Sequence, residues 1–219
     1  MTLAGVEWLF DKGAEIVILA CNTASANALR KIQQEILPTK YPNKKVLGII
    51  IPTVEEIEKY SKSGHIGILA TKATVESRIY EIEMEKQNPQ IKIISQAGGD
   101  LAKLIEHNDE AGLAGEIKRV AGALLAKDDM IDAIVLGCTH YALVENEISQ
   151  ILPKHIRFIG QGKLIAAKLS DYLGRHLEIS SRLCNASSVD FYTTSNNEQV
   201  KDLMKYFYGK NIIVSTVVF

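Results

Sequence analysis

Two cysteines, Cys21 and Cys138, occupy matching positions in the sequence and are the residues best suited to carry chemistry. Cys21 follows the aliphatic run Ile16–Ala20, and Cys138 follows the similar run Ala133–Gly137. Such runs, when a helical pattern comes next, are typical of buried parallel strands. Open α/β sheets bind ligands at the carboxyl ends of their strands. The sequence therefore predicts one site with a thiol on each side of a substrate.

Hydroxyl-bearing residues follow both cysteines and a further strand-like run. Thr23 and Ser25 come just after Cys21 and are candidates to cap the next helix, while Thr71 and Thr74 follow the run His65–Ala70. A cysteine acts as a base only as its thiolate, which a helix N-terminus favours. The free N–H groups of such a terminus also suit a carboxylate. We expect a pocket for a compact, polar anion.

Structural readings of the same residues remain open. A buried free cysteine is commonly a packing residue, and Cys184, which lacks a comparable context, is interpreted in that way. Threonines after strands commonly cap helices and do nothing else. His140, two residues after Cys138, could be a general acid, an orienting donor or a core histidine.

The spacing of the chemistry-bearing residues predicts neither a metal nor a cofactor. Cys21, Cys138 and His140 form no Cys-x-x-Cys or His-x-x-x-His pair, the spacings that usually hold zinc. The glycines at 64 and 67 and at 160 and 162 do not continue into a dinucleotide fingerprint.

Composition narrows the class and the compartment. The chain has 219 residues, of which 47% are hydrophobic, enough for a packed core. A net charge of -1 does not favour nucleic acid or a membrane surface. No apolar stretch is long enough to span a bilayer, and the first residues do not resemble a signal peptide. Three cysteines are too few for a disulfide framework, so we expect a cytoplasmic protein.

Strand-like and helical patterns alternate throughout, which predicts an α/β fold of two similar lobes, with mainly parallel sheets flanked by helices and the site between the lobes. We expect residues 1–63 to form the first lobe, completed by about 176–219, and residues 64–175 to form the second. Strands are expected near residues 16–20, 46–50, 66–70, 91–95, 133–137, 156–160, 189–192 and 212–218.

Two kinds of local pattern refine the helices. Capping boxes are predicted at Thr53–Glu56 and Ser195–Glu198. One apolar helical face is formed by Leu113, Ile117, Val120 and Leu124.

The segments Ala20–Ala26 and Leu136–Tyr141, with the sequences ACNTASA and LGCTHY, closely resemble the two signature motifs of glutamate racemases in the aspartate/glutamate racemase superfamily. Ala70–Ser77, Phe191–Ser195 and Leu104–Glu106 resemble further family segments in the same order. One departure is Gly160-Gln161-Gly162, where an acidic strand end is usual.

The resemblance implies a cofactor-independent racemisation of glutamate by two cysteine bases, which supplies D-glutamate for peptidoglycan. By analogy, Cys21 serves D-glutamate and Cys138 serves L-glutamate. His140, supported by Glu106, would assist Cys138. The implied substrate-binding residues are Asn22, Thr23, Thr71, Thr74 and Thr139. Glutamate is the expected partner, and a homodimer is left open.

The family normally begins with a strand and an Asp-Ser-Gly motif, followed later by a Tyr-Gly pair, and both precede the region where this sequence starts. We therefore expect the half-site around Cys21 to be incomplete, glutamate turnover to be weak and apolar edges to favour self-association. We also expect Cys138 to react faster with iodoacetamide than Cys184.

Two alternatives to glutamate racemisation remain open at this point. The chain could be a racemase for another amino acid, such as aspartate. It could also be a non-catalytic remnant that folds and serves as a binding or interaction protein. The expected loss of the Asp-Ser-Gly segment favours the second alternative, and the Thr139-His140-Tyr141 sequence favours glutamate over aspartate.

Overall fold

Strands and helices alternate along the chain in a computed structural model that describes residues 1–184 and 188–219. The strands are β1 (Ile16–Leu19), β2 (Lys45–Gly48), β3 (His65–Ala70), β4 (Lys92–Ala97), β5 (Ala133–Gly137), β6 (Arg157–Ile159), β7 (Phe191–Thr193) and β8 (Val214–Thr216). The helices are α1 (Thr2–Asp11), α2 (Asn22–Lys31), α3 (Leu37–Lys40), α4 (Ile50–Ile57), α5 (Lys72–Glu76), α6 (Ile79–Gln87), α7 (Leu101–Glu106), α8 (Glu110–Leu125), α9 (Glu145–Ile151), α10 (Gln161–Arg175), α11 (Leu177–Ser180) and α12 (Glu198–Tyr208). Each predicted strand position holds a strand.

The described strands pair in parallel in three groups. β1 pairs with β2, β7 pairs with β8, and the largest sheet has the order β4-β3-β5-β6. Every residue of β5 is buried, and so is all of β3 after its first residue. Helices on both faces of a parallel sheet account for that burial. The predicted fold class, α/β with mainly parallel sheets flanked by helices, is confirmed.

The core of the four-stranded sheet lies on its two faces. One face packs under α8, whose predicted apolar stripe of Leu113, Ile117, Val120 and Leu124 is buried. The other face packs against residues of α4 and α6, including Ile57 and Met84. Within the described part of the chain, no helix is both long and apolar enough to cross a membrane.

Both predicted capping boxes are wrong. Helix α4 begins at Ile50, so Thr53 lies within its first turn, and the Thr53 hydroxyl donates to the Ile49 carbonyl at 2.6 Å. Helix α12 is capped by the Asn197 side chain, two residues beyond Ser195. A capping box requires its first residue to precede the helix, and both helices begin at other positions.

The C-terminal part of the chain packs against the first helix and strand. The Trp8 and Tyr192 rings meet edge to face with centroids 4.9 Å apart, and Arg182 pairs with Glu15 at 3.2 Å. Phe207 of α12, in contrast, packs against the core of the four-stranded sheet. These contacts support grouping 176–219 with the first lobe, an assignment that stays a prediction.

A cavity of about 540 Å³ separates β1 from the β7–β8 pair and is lined by α1, β1 and the end of β7. Ile18 of β1 is 38% exposed. Exposed apolar side chains beside a strand edge favour association with other chains. Self-association itself stays a prediction.

The segment between α4 and β3 is fastened by Asp132, which lies just before β5. The Asp132 carboxylate accepts hydrogen bonds from the Ser61 hydroxyl and from the backbone N–H groups of Lys62 and Ser63, at 2.5, 2.7 and 2.9 Å. Burial alone would raise the pKa of Asp132, but these donors outweigh burial and lower it to about 2. The ionised carboxylate therefore stabilises the fold.

Replacing Asp132 by Asn should lower the free energy of unfolding by about 2 kcal/mol at pH 7, because the amide turns a donor toward the two N–H groups. The folded pKa lies below the unfolded value of about 3.9. The stabilisation is therefore present above pH ~4 and lost as the pH falls toward ~2. Urea unfolding at several pH values measures the difference. Asp129→Asn, at an exposed position nearby, is the matched control. An equal effect of both substitutions would contradict the assignment.

Candidate active site

Cys21 lies between β1 and α2, at the position that precedes the first helical residue. Its backbone is extended (φ -79°, ψ 123°), and its side chain is exposed. Neither proposed residue caps α2. The Ser25 hydroxyl instead donates to the Leu19 carbonyl at 2.7 Å, which fixes α2 against β1, because Ser25 lies one turn inside the helix. Cys21 is thus held at a strand end beside free helical N–H groups.

Cys138 directly follows β5 and precedes a 3-10 helix that covers Thr139–Val144. It is 6% exposed. Burial raises the pKa of the Cys138 thiol, and the negative charges of Cys21 and Glu106 act in the same direction. The backbone N–H groups of His140 and Tyr141 point at the sulfur and oppose this rise. A thiolate formed here is a stronger base than usual and has two donors to stabilise it.

His140 joins the Cys138 thiol to a carboxylate. Its Nδ1 lies 3.7 Å from the Cys138 sulfur, and its Nε2 lies 3.0 Å from an oxygen of Glu106. When Nε2 of the neutral ring carries the hydrogen and directs it at the Glu106 carboxylate, Nδ1 has a free lone pair. Nδ1 can then accept a proton from the Cys138 thiol. The edge of Phe207 approaches the imidazole, with ring centroids 6.1 Å apart. The arrangement can move a proton between sulfur and imidazole.

Three threonine hydroxyls meet where α2 approaches α5. The Thr23 oxygen lies 2.8 Å from that of Thr71 and 3.2 Å from that of Thr74, and the last two are 3.0 Å apart. Thr71 also caps α5, because its oxygen accepts from the Thr74 N–H at 3.3 Å. The structure thus brings together hydroxyls from two parts of the chain about 50 residues apart.

The strand ends next to the two cysteines are connected through Thr71. Thr23, two residues after Cys21, lies 2.8 Å from Thr71, and Ala70 pairs with Gly137, the residue before Cys138. Thr139, exposed at the start of the 3-10 helix, adjoins Cys138. The predicted residues therefore gather at one junction, where the ends of β1, β3 and β5 meet the helices that follow them.

Asn22, expected to bind substrate, has a buried side chain, and its substrate-binding role stays a prediction. It is 2% exposed. Its amide nitrogen donates to Gln161 at 2.7 Å, and its amide oxygen accepts from the Tyr80 hydroxyl at 2.6 Å. The side chain is therefore engaged within the protein, because α2 directs its first residue toward α6 and α10.

Sequence reasoning missed three residues that surround Asn22, and one beside His140. Tyr80, Gln161 and Thr53 are all buried and hydrogen-bonded in the same network. Gln161 lies two residues after β6 and was noted in the sequence only as a departure from the usual acidic strand end, whereas Tyr80 and Phe207 lie in ordinary helical patterns. Their roles depend on contacts between elements distant in sequence.

Comparisons with known proteins agree with this geometry. The family described as Asp/Glu/Hydantoin racemase matches residues 2–168. Glutamate racemase from Paracoccus denitrificans is 35% identical over 91% of this chain and 76% of its own length. The protein of the same name from Roseobacter denitrificans is 33% identical over 97% of this chain and 80% of its own.

Solved structures give the same result. A glutamate racemase isoform from Bacillus anthracis superposes with a TM-score of 0.85 at 28% identity, covering 98% of this chain and 77% of that one. Glutamate racemase from Francisella tularensis, solved with D-glutamate, has a TM-score of 0.79 at 26% identity, covering 97% and 76%. With a cysteine just beyond each of two strands, the two-lobe racemase fold and these relatives, the chain belongs to the Asp/Glu/Hydantoin racemase family of isomerases.

Proposed function

We propose that this protein interconverts L- and D-glutamate by a two-base mechanism that uses no cofactor and no metal. The observation that carries the proposal is the set of contacts that links the strand ends next to Cys21 and Cys138. Thr23, two residues after Cys21, lies 2.8 Å from Thr71, and Ala70 pairs with Gly137, the residue before Cys138. Racemisation requires a base on one side of the α-carbon and an acid on the other. Two thiols at facing strand ends can supply both, and they exchange roles with the direction of the reaction.

The proton transfers follow from the surroundings of each thiol. With L-glutamate, the Cys138 thiolate removes the α-proton, and the Cys21 thiol gives its proton to the opposite face. With D-glutamate, Cys21 is the base and Cys138 the acid. His140, whose Nε2 lies 3.0 Å from a carboxylate oxygen of Glu106, accepts the thiol proton of Cys138 and so produces the thiolate before the reaction.

The α-carboxylate takes up charge as the proton leaves, so donors directed at it stabilise the transition state. We assign this role to Thr23, Thr71, Thr74 and Thr139, together with the free N–H groups at the start of α2. The Thr23, Thr71 and Thr74 hydroxyls already lie within 3.2 Å of one another, so they form a compact donor group of the size of a carboxylate. Asn22 contributes its backbone N–H in this account.

The proposed setting is the cytoplasm, where D-glutamate would enter peptidoglycan synthesis. Free thiols are required for both half-reactions, and Cys21 and Cys138 are unpaired. A reducing compartment maintains cysteines in that state.

Circular dichroism of L-glutamate, followed in time with the purified protein, tests the reaction directly. We expect the signal to decay to zero as the racemate forms, and dialysis against a chelator to leave the rate unchanged. L-Aspartate at the same concentration should react far more slowly. If only the L-aspartate signal decays, aspartate and not glutamate is the substrate. If neither signal decays, the proposal is refuted.

Cys138→Ser should reduce kcat by at least a hundredfold in both directions, because a hydroxyl is a much weaker acid–base group than a thiol. The circular dichroism assay, run with each enantiomer of glutamate, measures the loss of kcat. Cys184→Ser, at an exposed cysteine away from the site, is the control and should retain the full rate. A Cys138→Ser protein with more than a tenth of the normal kcat would contradict the assignment.

Burial of Cys138 favours an order of thiol reactivity opposite to the one expected from the sequence, and that order stays a prediction. Burial protects Cys138 and raises the pKa of its thiol, whereas Cys184 is exposed. Since the thiolate is the reactive form, Cys138 should be alkylated by iodoacetamide more slowly than Cys184 at pH 7. The alkylation rate of Cys138 should keep rising to a higher pH than that of an ordinary thiol, and bound glutamate should lower the rate further. Mass spectrometry of the alkylated peptides measures each rate. Faster alkylation of Cys138 would show that the raised pKa is wrong.

Glu106→Gln should lower kcat by roughly tenfold, because the amide holds the imidazole less firmly and does not stabilise its protonated form. Cys138 would then lose its proton to His140 less readily. Glu85→Gln, which alters an exposed carboxylate on α6, is the matched control. Equal kcat values for the two variants would remove Glu106 from the mechanism.

A further inference from the structure

A closed ring of hydrogen bonds joins three buried side chains next to Cys21. The Tyr80 hydroxyl donates to the Asn22 amide oxygen at 2.6 Å, Asn22 donates to the Gln161 amide oxygen at 2.7 Å, and Gln161 donates to the Tyr80 oxygen at 2.9 Å. The second amide hydrogen of Gln161 goes to the Thr53 hydroxyl at 2.8 Å, and Thr53 donates in turn to the Ile49 carbonyl. Every bond in this network has a defined direction.

The network is buried throughout. Exposure is 2% for Asn22, 1% for Tyr80, 0% for Thr53 and 7% for Gln161. A buried polar group without a partner costs about 1–3 kcal/mol. If either side-chain amide alone turned by 180°, its nitrogen would face another hydrogen-bond donor. Because the side chains are buried, this mismatch favours a single arrangement of the two amides. Directed hydrogen bonds in a region of low dielectric also strengthen one another.

The ring connects the helix behind Cys21 to the lobe that carries Cys138. Asn22 is the first residue of α2 and follows Cys21 directly. Gln161 begins α10, which follows β6, and Tyr80 lies on α6, which packs against the same four-stranded sheet. Cys138 directly follows β5 of that sheet. A shift of α2 relative to this sheet would break the ring and would change the separation of the two thiols.

We propose that Gln161 is a positioning residue that fixes Cys21 relative to Cys138 through Asn22 and Tyr80. The proposal rests on the two-cysteine racemisation proposed above. Gln161 touches no reacting atom in this account, and it acts on the geometry alone. A misplacement of about 1 Å between reacting groups can cost on the order of a hundredfold in rate. In this proposal the Asn22 side chain acts through the ring, because it holds the start of α2, and with it Cys21, in place.

The kinetic test uses two ring variants and one control. Gln161→Leu removes all hydrogen bonds of the central amide, and Tyr80→Phe removes one hydroxyl while it keeps the buried ring in place. Tyr172→Phe alters a half-buried tyrosine on α10, outside the network. We expect kcat per folded protein to fall at least tenfold in Gln161→Leu and severalfold in Tyr80→Phe. KM should change less than threefold, and the control should match the parent.

A second readout measures the thiol separation and requires no turnover. In a Cys184→Ser background, bis-methanethiosulfonate cross-linkers of graded length join Cys21 to Cys138, and peptide mapping quantifies each product. The parent and Tyr172→Phe should prefer one narrow range of lengths. Gln161→Leu and Tyr80→Phe should accept a wider range. If Gln161→Leu fails to fold, Tyr80→Phe carries the test.

The length preference decides the outcome. An unchanged preference in the folded ring variants overturns the proposal, whatever their kcat. A broadened preference with reduced kcat supports it. A parent protein that is inactive, but whose length preference still depends on the ring, would refute the proposed racemisation and leave the positioning role of Gln161 in place.

Discussion

Holding two cysteine thiols, which end strands of separate sheets, at one junction is the constraint on which the rest of this structure depends. Neither sheet can create the proposed site alone, because Cys21 lies two residues after β1 and Cys138 directly follows β5. Parallel strands carry the thiols to the edges where helices begin, and those helices supply N–H groups and hydroxyls. The contacts between the lobes then set the geometry on which the proposed proton transfer depends.

Two groups of hydrogen bonds cross this junction and differ in character. The Thr23, Thr71 and Thr74 hydroxyls are interchangeable as donors and acceptors, so they can turn toward a substrate. The ring of Asn22, Tyr80 and Gln161 has fixed directions and is buried. An adaptable group beside the substrate and a rigid group behind it suit a site that must bind two mirror-image molecules.

Sequence patterns predicted the strands, and the placement of Cys21 and Cys138 just beyond two of them, because those features depend on local composition. The runs before Cys21 and Cys138 are apolar and β-branched, and such runs form buried strands wherever helices cover both faces. Helix boundaries were harder, as at Thr53, where α4 begins four residues earlier than its capping pattern indicates. The role of Gln161 could not be predicted, since its partners lie 81, 108 and 139 residues away.

Incorporation of solvent deuterium during the first few per cent of the reaction tests the central claim most directly. L-Glutamate is incubated with the protein in heavy water. The two enantiomers are then separated, and mass spectrometry measures the deuterium content of each. Two thiol bases predict that newly formed D-glutamate carries deuterium at the α-carbon, while the remaining L-glutamate keeps its original hydrogen. D-Glutamate that retains the original α-hydrogen would show that one base serves both faces, and it would contradict the account.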